Sequence, residues 1–358
     1  MRCFPLLAAG LVSFTCVTFT NSTFAQSDDS DWSIASRSLA PPVHASAELA
    51  EVIANSPQPN LDVSGRYPDS DEAWLALQER ARTGQSPLPA LADQLDLHIE
   101  SREVTVDAVT PITVYDVRPE QIAPAHRNHV FLHLHGGGYV LGGGPGAASE
   151  AAQISAAAGI YTVSVDYRMP PAAPFPAAVD DTIAVYRQLL EDYEPGQIAI
   201  GGTSAGAGLS FAAVLQMKNL GLPVPGAIFA GTPWADLTDT SDSLHTNAGI
   251  DRILITYDGL LRIGATQYAD GEDLSNPLIS PLYGDFSDFP PTILISGTRD
   301  MLLSDTARAH RKLLAAGVEA DLHVFEGMSH AEYMIMPDLP EGQMTFTEIS
   351  KFIKTHLD

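Results

Sequence analysis

Short runs of mostly apolar residues recur along the central and C-terminal parts of the chain and predict a buried sheet. Residues 130–134 and 161–165 are apolar almost without interruption, which is typical of central parallel strands covered on both faces. Residues 97–106 and 112–117 alternate apolar and polar positions instead, which predicts antiparallel strands near an edge. Further strands are predicted at residues 197–200, 227–230, 292–296 and 320–325.

Apolar positions spaced three and four residues apart predict helices between and ahead of these strands. Those between and after the strands are predicted at residues 147–158, 176–190, 205–220, 304–316 and about 345–357. Two more are predicted ahead of the sheet, at residues 47–55 and 71–82. Because strand and helix alternate with short connections, the predicted fold class is α/β, with a mostly parallel central sheet and helices on both faces.

Composition and charge narrow the classes of partner. The 358 residues are 45% hydrophobic, as expected for a globular chain, and 44 Asp and Glu residues stand against 19 Lys and Arg residues. The formal net charge of −25 argues against nucleic acid or an anionic membrane surface as a partner. A small-molecule partner is expected instead.

The first 25 residues have the pattern of a cleavable secretory signal. Arg2 is followed by a mostly apolar stretch at 4–19. Thr23-Phe24-Ala25 then places small residues at the two positions that signal peptidase recognises, which predicts cleavage after Ala25. An uncleaved anchor is the alternative, but the stretch is short and Thr-rich for a bilayer span. Both cysteines, Cys3 and Cys16, lie inside it, so the mature chain would carry neither a disulfide nor a thiol nucleophile. The predicted location is periplasmic or secreted, with no integral membrane span in the mature chain.

One long segment interrupts the alternation of strand and helix. Residues from about 237 to 289 are too many for a loop and have a helical pattern around 254–269, which predicts a cap insertion over the C-terminal edge of the sheet. The predicted organisation is a signal peptide at 1–25, a flexible leader at 26–45, N-terminal cap helices at 46–95 and an α/β domain at 96–358 that carries the insertion.

The turn after the strand at 197–200 has the pattern of a nucleophile elbow. It reads Gly202-Thr203-Ser204-Ala205-Gly206, a serine between two glycines where a strand passes into a helix. Side chains at Gly202 and Gly206 would collide with the neighbouring strand and helix, and Ala205 places its N–H at a helix start, where a developing anion is favoured. The alternative is a glycine-rich turn with an incidental serine.

A second glycine-rich loop follows the strand at 130–134. It reads His135-Gly136-Gly137-Gly138, and loops of this type form half of an oxyanion hole after a strand. The N–H groups of Gly136 and Gly137 would join that of Ala205. The alternative is a phosphate-binding loop, but neither this run nor the glycines at 142–146 has the spacing of such motifs. His135 is interpreted as ordering the loop rather than acting as a base.

The base and the orienting acid are expected in loops after the last two strands. Asp300 follows residues 292–296 and His330 follows residues 320–325, so the chain order is Ser, Asp, His, as in α/β-hydrolases. Asp305 competes as the acid, but it falls inside the following helix and is interpreted as serving that helix's first turn. No cluster has metal-ligand spacing, so neither a metal nor another cofactor is expected.

With these residues in place, the chain resembles the hormone-sensitive-lipase-like family of bacterial carboxylesterases, within the α/β-hydrolase fold. The motifs that carry the resemblance from about residue 130 onward are His135 to Gly138, Asp166-Tyr167-Arg168, residues 174–178, Asp180-Asp181, the elbow, residues 233–237, and the loops of Asp300 and His330. With Thr203 in the elbow, the chain resembles the threonine-bearing subgroup of that family. Ala172 is a departure from the pattern, because the family usually carries glutamate there.

The resemblance implies a set of roles and an activity. It makes Ser204 the nucleophile, His330 the base, Asp300 the orienting acid, and the N–H groups of Gly136, Gly137 and Ala205 the oxyanion hole. It also implies a cap over the pocket and a serine carboxylesterase that cleaves short- to medium-chain esters; dimers are common in the family, which leaves a homodimer open. A lactonase, amidase or polymer-ester hydrolase would use the same triad. A non-catalytic ligand-binding receptor is the alternative from another class.

Overall fold

The computed structural model describes residues 38–84, 86–106 and 110–358. The predicted signal peptide at 1–25 and most of the leader lie outside the described residues. Within the described chain, residues 40–358 form one compact unit built on a sheet of eight strands. The strands are β1 Leu97–Thr105, β2 Pro111–Pro119, β3 Val130–Leu134, β4 Tyr161–Asp166, β5 Ile198–Thr203, β6 Ala227–Gly231, β7 Thr292–Gly297 and β8 Ala320–Phe325.

Three helices precede β1, and the others follow or lie between the strands. They are α1 Ala47–Asn55, α2 Asp71–Thr83, α3 Leu88–Gln94, α4 Ser149–Ala158, α5 Ala177–Leu189, α6 Ala205–Asn219, α7 Asp242–Thr246, α8 Arg262–Ala269, α9 Leu303–Ala315, α10 Glu332–Ile335 and α11 Pro340–His356. Among the described residues, no helix combines the length and the apolar character that a membrane crossing requires.

The order of the strands confirms the predicted fold class. The sheet runs β1-β2-β4-β3-β5-β6-β7-β8, and every pair is parallel except β1 with β2 and β2 with β4. Strand β3 lies between β4 and β5, so the direction in which strands are added reverses beside it. In open α/β sheets, ligands bind beyond the carboxyl ends of the strands at such a reversal. The loops after β3 and β5 are therefore the place to look for a site.

Both faces of the central strands are buried, which explains their uninterrupted apolar sequences. Every residue of β3 to β7 is buried. Successive side chains of a strand point to opposite faces: Leu132 packs in the core that includes α5, α6 and α9, whereas Phe131 packs in the core that includes α4 and α11. Burial on both sides holds the strand ends, and the loops that leave them, in fixed positions.

Two helix predictions need correction. The last helix begins at Pro340, about five residues ahead of the predicted start, because proline is well suited to the first turn of a helix. Helix α3 was not predicted, since proline in a seven-residue segment hides the helical pattern. The segment predicted as a cap insertion contains α7, α8 and a π-helical turn at Tyr257–Leu261.

Candidate active site

Strand β5 passes into helix α6 through a strained turn centred on Ser204. Its backbone has φ +62° and ψ −120°, a conformation that non-glycine residues rarely adopt, and its N–H donates to the Gly231 carbonyl at 2.8 Å. A Cβ at Gly202 or Gly206 would overlap the carbonyl oxygen of Leu134 at the end of β3. The two glycines therefore permit the close approach of β3 to the elbow, as the sequence pattern predicts.

The loop His135 to Gly138 leaves β3 directly beside this turn. A Cβ at Gly136 would lie 2.9 Å from the Thr203 carbonyl oxygen and 3.4 Å from the Ser204 Cβ. Gly137 has φ +111°, which only glycine adopts without strain. Among the described residues, no group accepts a hydrogen bond from the N–H of Gly136, Gly137 or Ala205. Three backbone donors next to Ser204 are thus available to a ligand.

The His135 side chain packs against the base of this loop, and its Nδ1 lies 2.7 Å from the Gly136 carbonyl oxygen. Its ring stacks on Tyr167, with centroids 4.0 Å apart and planes 4° from parallel, and the Tyr167 hydroxyl donates to the His135 carbonyl at 2.8 Å. Burial lowers the pKa of His135 to about 4, so its imidazole is neutral at physiological pH. A side chain held by stacking and buried in this way supports the backbone of the glycine loop.

Asp300 and His330 meet at the carboxyl ends of β7 and β8. The His330 Nδ1 lies 3.1 Å from the Asp300 Oδ1, which also accepts the Leu302 N–H at 2.8 Å, while the Ser296 hydroxyl donates to Oδ2 at 2.7 Å. Burial lowers the pKa of His330, but the charge and hydrogen bond of Asp300 and the charge of Asp251 outweigh it and raise the pKa above 6.5.

A cavity of about 340 Å³ connects these groups. Ser204 and His330 both line it, together with the glycine loop, so the sheet brings the predicted residues to one site. Its apolar walls are formed mainly by the segment predicted as the cap insertion and by α10: Ile253, Leu254, Leu260, Leu261, Met334 and Ile335. Pockets for small organic ligands have this character, mostly apolar with a few convergent polar groups.

Asp305 has a different role from the one expected. It lies in the first turn of α9, but its carboxylate accepts the N–H groups of Ala235 at 3.0 Å and Asp236 at 2.8 Å, and the Ser241 hydroxyl. It therefore holds the loop after β6 rather than its own helix. Burial raises the pKa of Asp305 to about 7. It makes no hydrogen bond to His330.

Two buried carboxylates near the site were missed at the level of sequence. Glu150 of α4 lines the cavity, contacts His133 Nε2 at 3.0 Å and accepts the Thr203 hydroxyl, which also contacts the Tyr333 hydroxyl. Asp251 contacts backbone N–H groups beside both Asp300 and His330. The only available sequence signal was an acidic residue in an apolar surrounding, which does not identify its partners.

The strained serine turn after β5, the glycine loop after β3 and the Asp300–His330 pair after β7 and β8 define the α/β-hydrolase class. A family model described as alpha/beta hydrolase fold matches residues 131–334, more than half of the chain. The chain belongs to this family.

Relatives and solved structures agree with that assignment. An acetyl-hydrolase of Streptomyces hygroscopicus is 35% identical over 246 residues, which are 68% of this chain and 82% of that protein. An esterase of Acinetobacter venetianus is 31% identical over 253 residues, 70% of this chain and 82% of that protein. The crystal structure of an esterase E25 matches with TM-score 0.85 and 41% identity, covering 92% of this chain and 99% of that chain.

A further solved structure bears on the predicted resemblance. It is an esterase from the bacterial hormone-sensitive lipase family, 33% identical, with TM-score 0.69, covering 87% of this chain and 99% of that chain. The resemblance to that family and the enzyme class, a carboxylic ester hydrolase, are confirmed at this level.

Proposed function

We propose that the protein is a serine carboxylesterase that cleaves short- to medium-chain carboxylic esters through an acyl-enzyme. The observation that carries the proposal is the convergence on one apolar cavity of Ser204, the His330–Asp300 pair and three backbone N–H groups that have no partner among the described residues. Acyl transfer by serine uses a nucleophile, a base held by an acid, and hydrogen-bond donors for the oxyanion, and these three components are the ones that converge here.

In the acylation step, His330 takes the proton from the Ser204 hydroxyl as its oxygen attacks the ester carbonyl carbon. The carbonyl oxygen becomes an oxyanion and is held by the N–H groups of Gly136, Gly137 and Ala205. When the tetrahedral intermediate collapses, the bond to the alkoxy oxygen breaks, and His330 returns the proton to the leaving alcohol. Asp300 keeps the Nδ1–H of His330 in place and stabilises the imidazolium.

Deacylation repeats these steps with water as the nucleophile. His330 accepts a proton from water, the hydroxide adds to the acyl carbon, and the Ser204 oxygen leaves with that proton as the carboxylic acid is released. Because His330 must be neutral to act as a base and its pKa is raised above 6.5, activity should be lost as the pH falls through that raised value.

The size and the walls of the cavity support small esters as substrates. About 340 Å³ lies at the low end of the range of ligand pockets, roughly 300–1,000 Å³. Its apolar walls favour an alkyl acyl chain or alkyl alcohol and disfavour a charged group, whose desolvation would not be compensated. The relative named acetyl-hydrolase is consistent with a small acyl group.

Export of the protein is a separate proposal, which rests on residues 1–25 alone. The basic residue, apolar stretch and small-residue site are those of a cleavable signal. N-terminal sequencing of the protein from a periplasmic or culture fraction should begin at Gln26. Intact Met1 on active protein recovered from the cytoplasm would contradict export.

The direct test replaces Ser204 by alanine and measures hydrolysis of p-nitrophenyl butyrate. We expect kcat to fall at least about 10³-fold with an unchanged fold, because the Ser204 side chain makes no capping bond to α6. Ser210→Ala is the matched control, since this serine is also buried, lies in helix α6 and donates to the Gly206 carbonyl. A Ser204→Ala rate within about tenfold of the wild type would refute the proposal.

A further inference from the structure

The carboxylate of Asp251 lies beside the triad and has no part in the steps above. It is fully buried and belongs to the segment predicted as the cap insertion. Its Oδ1 accepts the N–H groups of Ile253 at 2.8 Å and Leu254 at 3.1 Å. Its Oδ2 accepts those of Met301 at 2.9 Å and His330 at 3.4 Å.

The four donors belong to three parts of the active site. Met301 directly follows Asp300, the second donor on that side is His330 itself, and the side chains of Ile253 and Leu254 line the substrate cavity. One carboxylate therefore joins the loop of Asp300, the loop of His330 and the cavity wall. A displacement of about 1 Å between catalytic groups can cost about 10²-fold in rate, so such a junction bears on catalysis.

The next residue, Arg252, also binds this segment to the loop of His330. The Arg252 N–H donates to the Ser329 hydroxyl at 3.2 Å, and its guanidinium donates to Glu332 at 2.6 Å. The Ser329 N–H in turn donates to Glu332 at 2.8 Å. Because the charges of Arg252 and Glu332 neutralise each other in this buried ion pair, the pair acts on His330 mainly by holding the loop of His330 in place.

The hydrogen bonds of Asp251 favour its ionised form, whereas its burial opposes that form. All four hydrogen-bond partners are donors, so a proton on this carboxyl would have no acceptor among the described residues. Burial, and then the charge of Asp300, raise the pKa of Asp251 above its usual value, because the charge of His330 and the N–H donors lower it by less. The charged groups that act on His330 are Asp300 and Asp251, and both raise its pKa.

We propose that Asp251 is a positioning residue, whose carboxylate holds the loops of Asp300 and His330 in register with each other and with the cavity wall. The inference rests on the proposed function, because it concerns the alignment of the same triad. It adds a fourth side chain, contributed from outside the α/β core, on which the efficiency of the reaction depends.

Asp251→Asn tests the proposal because it removes one half of the contacts selectively. An amide offers one acceptor oxygen, and that oxygen should remain with the neighbouring N–H groups of Ile253 and Leu254, because the bond to His330 on the other side is the longest of the four at 3.4 Å. The amide nitrogen then faces the N–H groups of Met301 and His330, donor against donor, and the negative charge is lost. The cavity wall keeps its support, whereas the two triad loops lose theirs.

We expect kcat for p-nitrophenyl butyrate to fall about 10- to 100-fold, with KM within about threefold of the wild type. The acid limb of kcat/KM should move to lower pH, since a charge that raises the His330 pKa is gone. Asp305→Asn is the matched control: its carboxylate is equally buried and accepts two backbone N–H groups, but it lies away from the triad. The control should change thermal stability without moving the acid limb.

A kcat normalised to enzyme that reacts with an active-site titrant does not depend on the folded fraction, so a fall in this kcat separates positioning from general destabilisation. A normalised kcat that falls by less than about tenfold in Asp251→Asn would overturn the proposal. If that variant does not fold, Asp251→Ser gives the same test, because serine can still accept the local N–H groups. Hydrolysis at the wild-type rate in Ser204→Ala would instead refute the proposed function, and Asp251 would then have no triad to position.

Discussion

Replacing Asp300 by asparagine separates the charge of this side chain from its role as a hydrogen-bond acceptor. Oδ1 faces the His330 Nδ1 at 3.1 Å and accepts the Leu302 N–H at 2.8 Å, while Oδ2 accepts the Ser296 hydroxyl at 2.7 Å. A hydroxyl can rotate to accept as well as donate. The new amide can therefore point its nitrogen at Ser296 and keep its oxygen on His330, which preserves the imidazole tautomer.

The expected loss is then that of the charge alone. Hydrogen bonds to charged groups contribute about 1.5–3 kcal/mol and neutral ones about 0.5–1.5 kcal/mol. With the longer-range attraction to the imidazolium added, the exchange should cost about 2–4 kcal/mol in the transition state, a fall of about 30- to 1,000-fold in kcat. Where the same exchange inverts the tautomer in a serine protease, the fall is about 10⁴-fold.

The assay is kcat against pH with p-nitrophenyl butyrate, normalised to enzyme that reacts with an active-site titrant. The acid limb should also move to lower pH, because the charge of Asp300 raises the His330 pKa. The double variant Ser296→Ala with Asp300→Asn is the control for orientation: without the hydroxyl, the amide nitrogen has lost its acceptor, and the fall should approach about 10⁴-fold. A fall below about tenfold in the single variant would refute Asp300 as the orienting acid.

Two further predictions concern the oxyanion loop and the cavity wall. Gly137→Ala should lower kcat about 10²- to 10³-fold with little change in KM. The reason is that φ is +111° and a Cβ at this position overlaps the Leu141 carbonyl, which displaces the Gly137 N–H. Steady-state kinetics and a thermal melt of the variant test this, and an unchanged kcat would exclude the Gly137 N–H from the oxyanion hole. Leu260→Ala should lengthen the preferred acyl chain, because the Leu260 side chain lines the cavity beside the glycine loop, where a Cβ added to Gly138 would lie 3.2 Å from it. Rates on p-nitrophenyl esters of increasing chain length test this, and an unchanged chain-length profile would place the acyl group elsewhere.

The parts of the site that follow from short sequence patterns could be predicted. The glycines around Ser204 and after β3 are required by local backbone geometry, and local requirements leave a local pattern. Asp300 and His330 could be found because each loop follows a strand, and the carboxyl ends of parallel strands meet at one edge of the sheet. The chain order of the three residues then distinguished this fold from other serine hydrolases.

The supporting carboxylates could not be predicted, because their partners are distant in the chain. Asp251 meets Met301 and His330 only after the sheet has formed, and nothing near residue 251 marks those contacts. Glu150 meets Thr203 for the same reason. Asp305 shows the converse error: its position in a helix turn suggested a local role, whereas tertiary contacts to the loop after β6 determine its function.

The central claim, that Ser204 is the nucleophile, is tested most directly by covalent labelling. A fluorophosphonate should react once per chain, and peptide mass spectrometry should place the adduct on Ser204. Ester hydrolysis should decline in proportion to the labelled fraction, and labelling should be absent in Ser204→Ala but normal in Ser210→Ala. An adduct on any other residue, or full hydrolytic activity in completely labelled enzyme, would contradict the proposed mechanism.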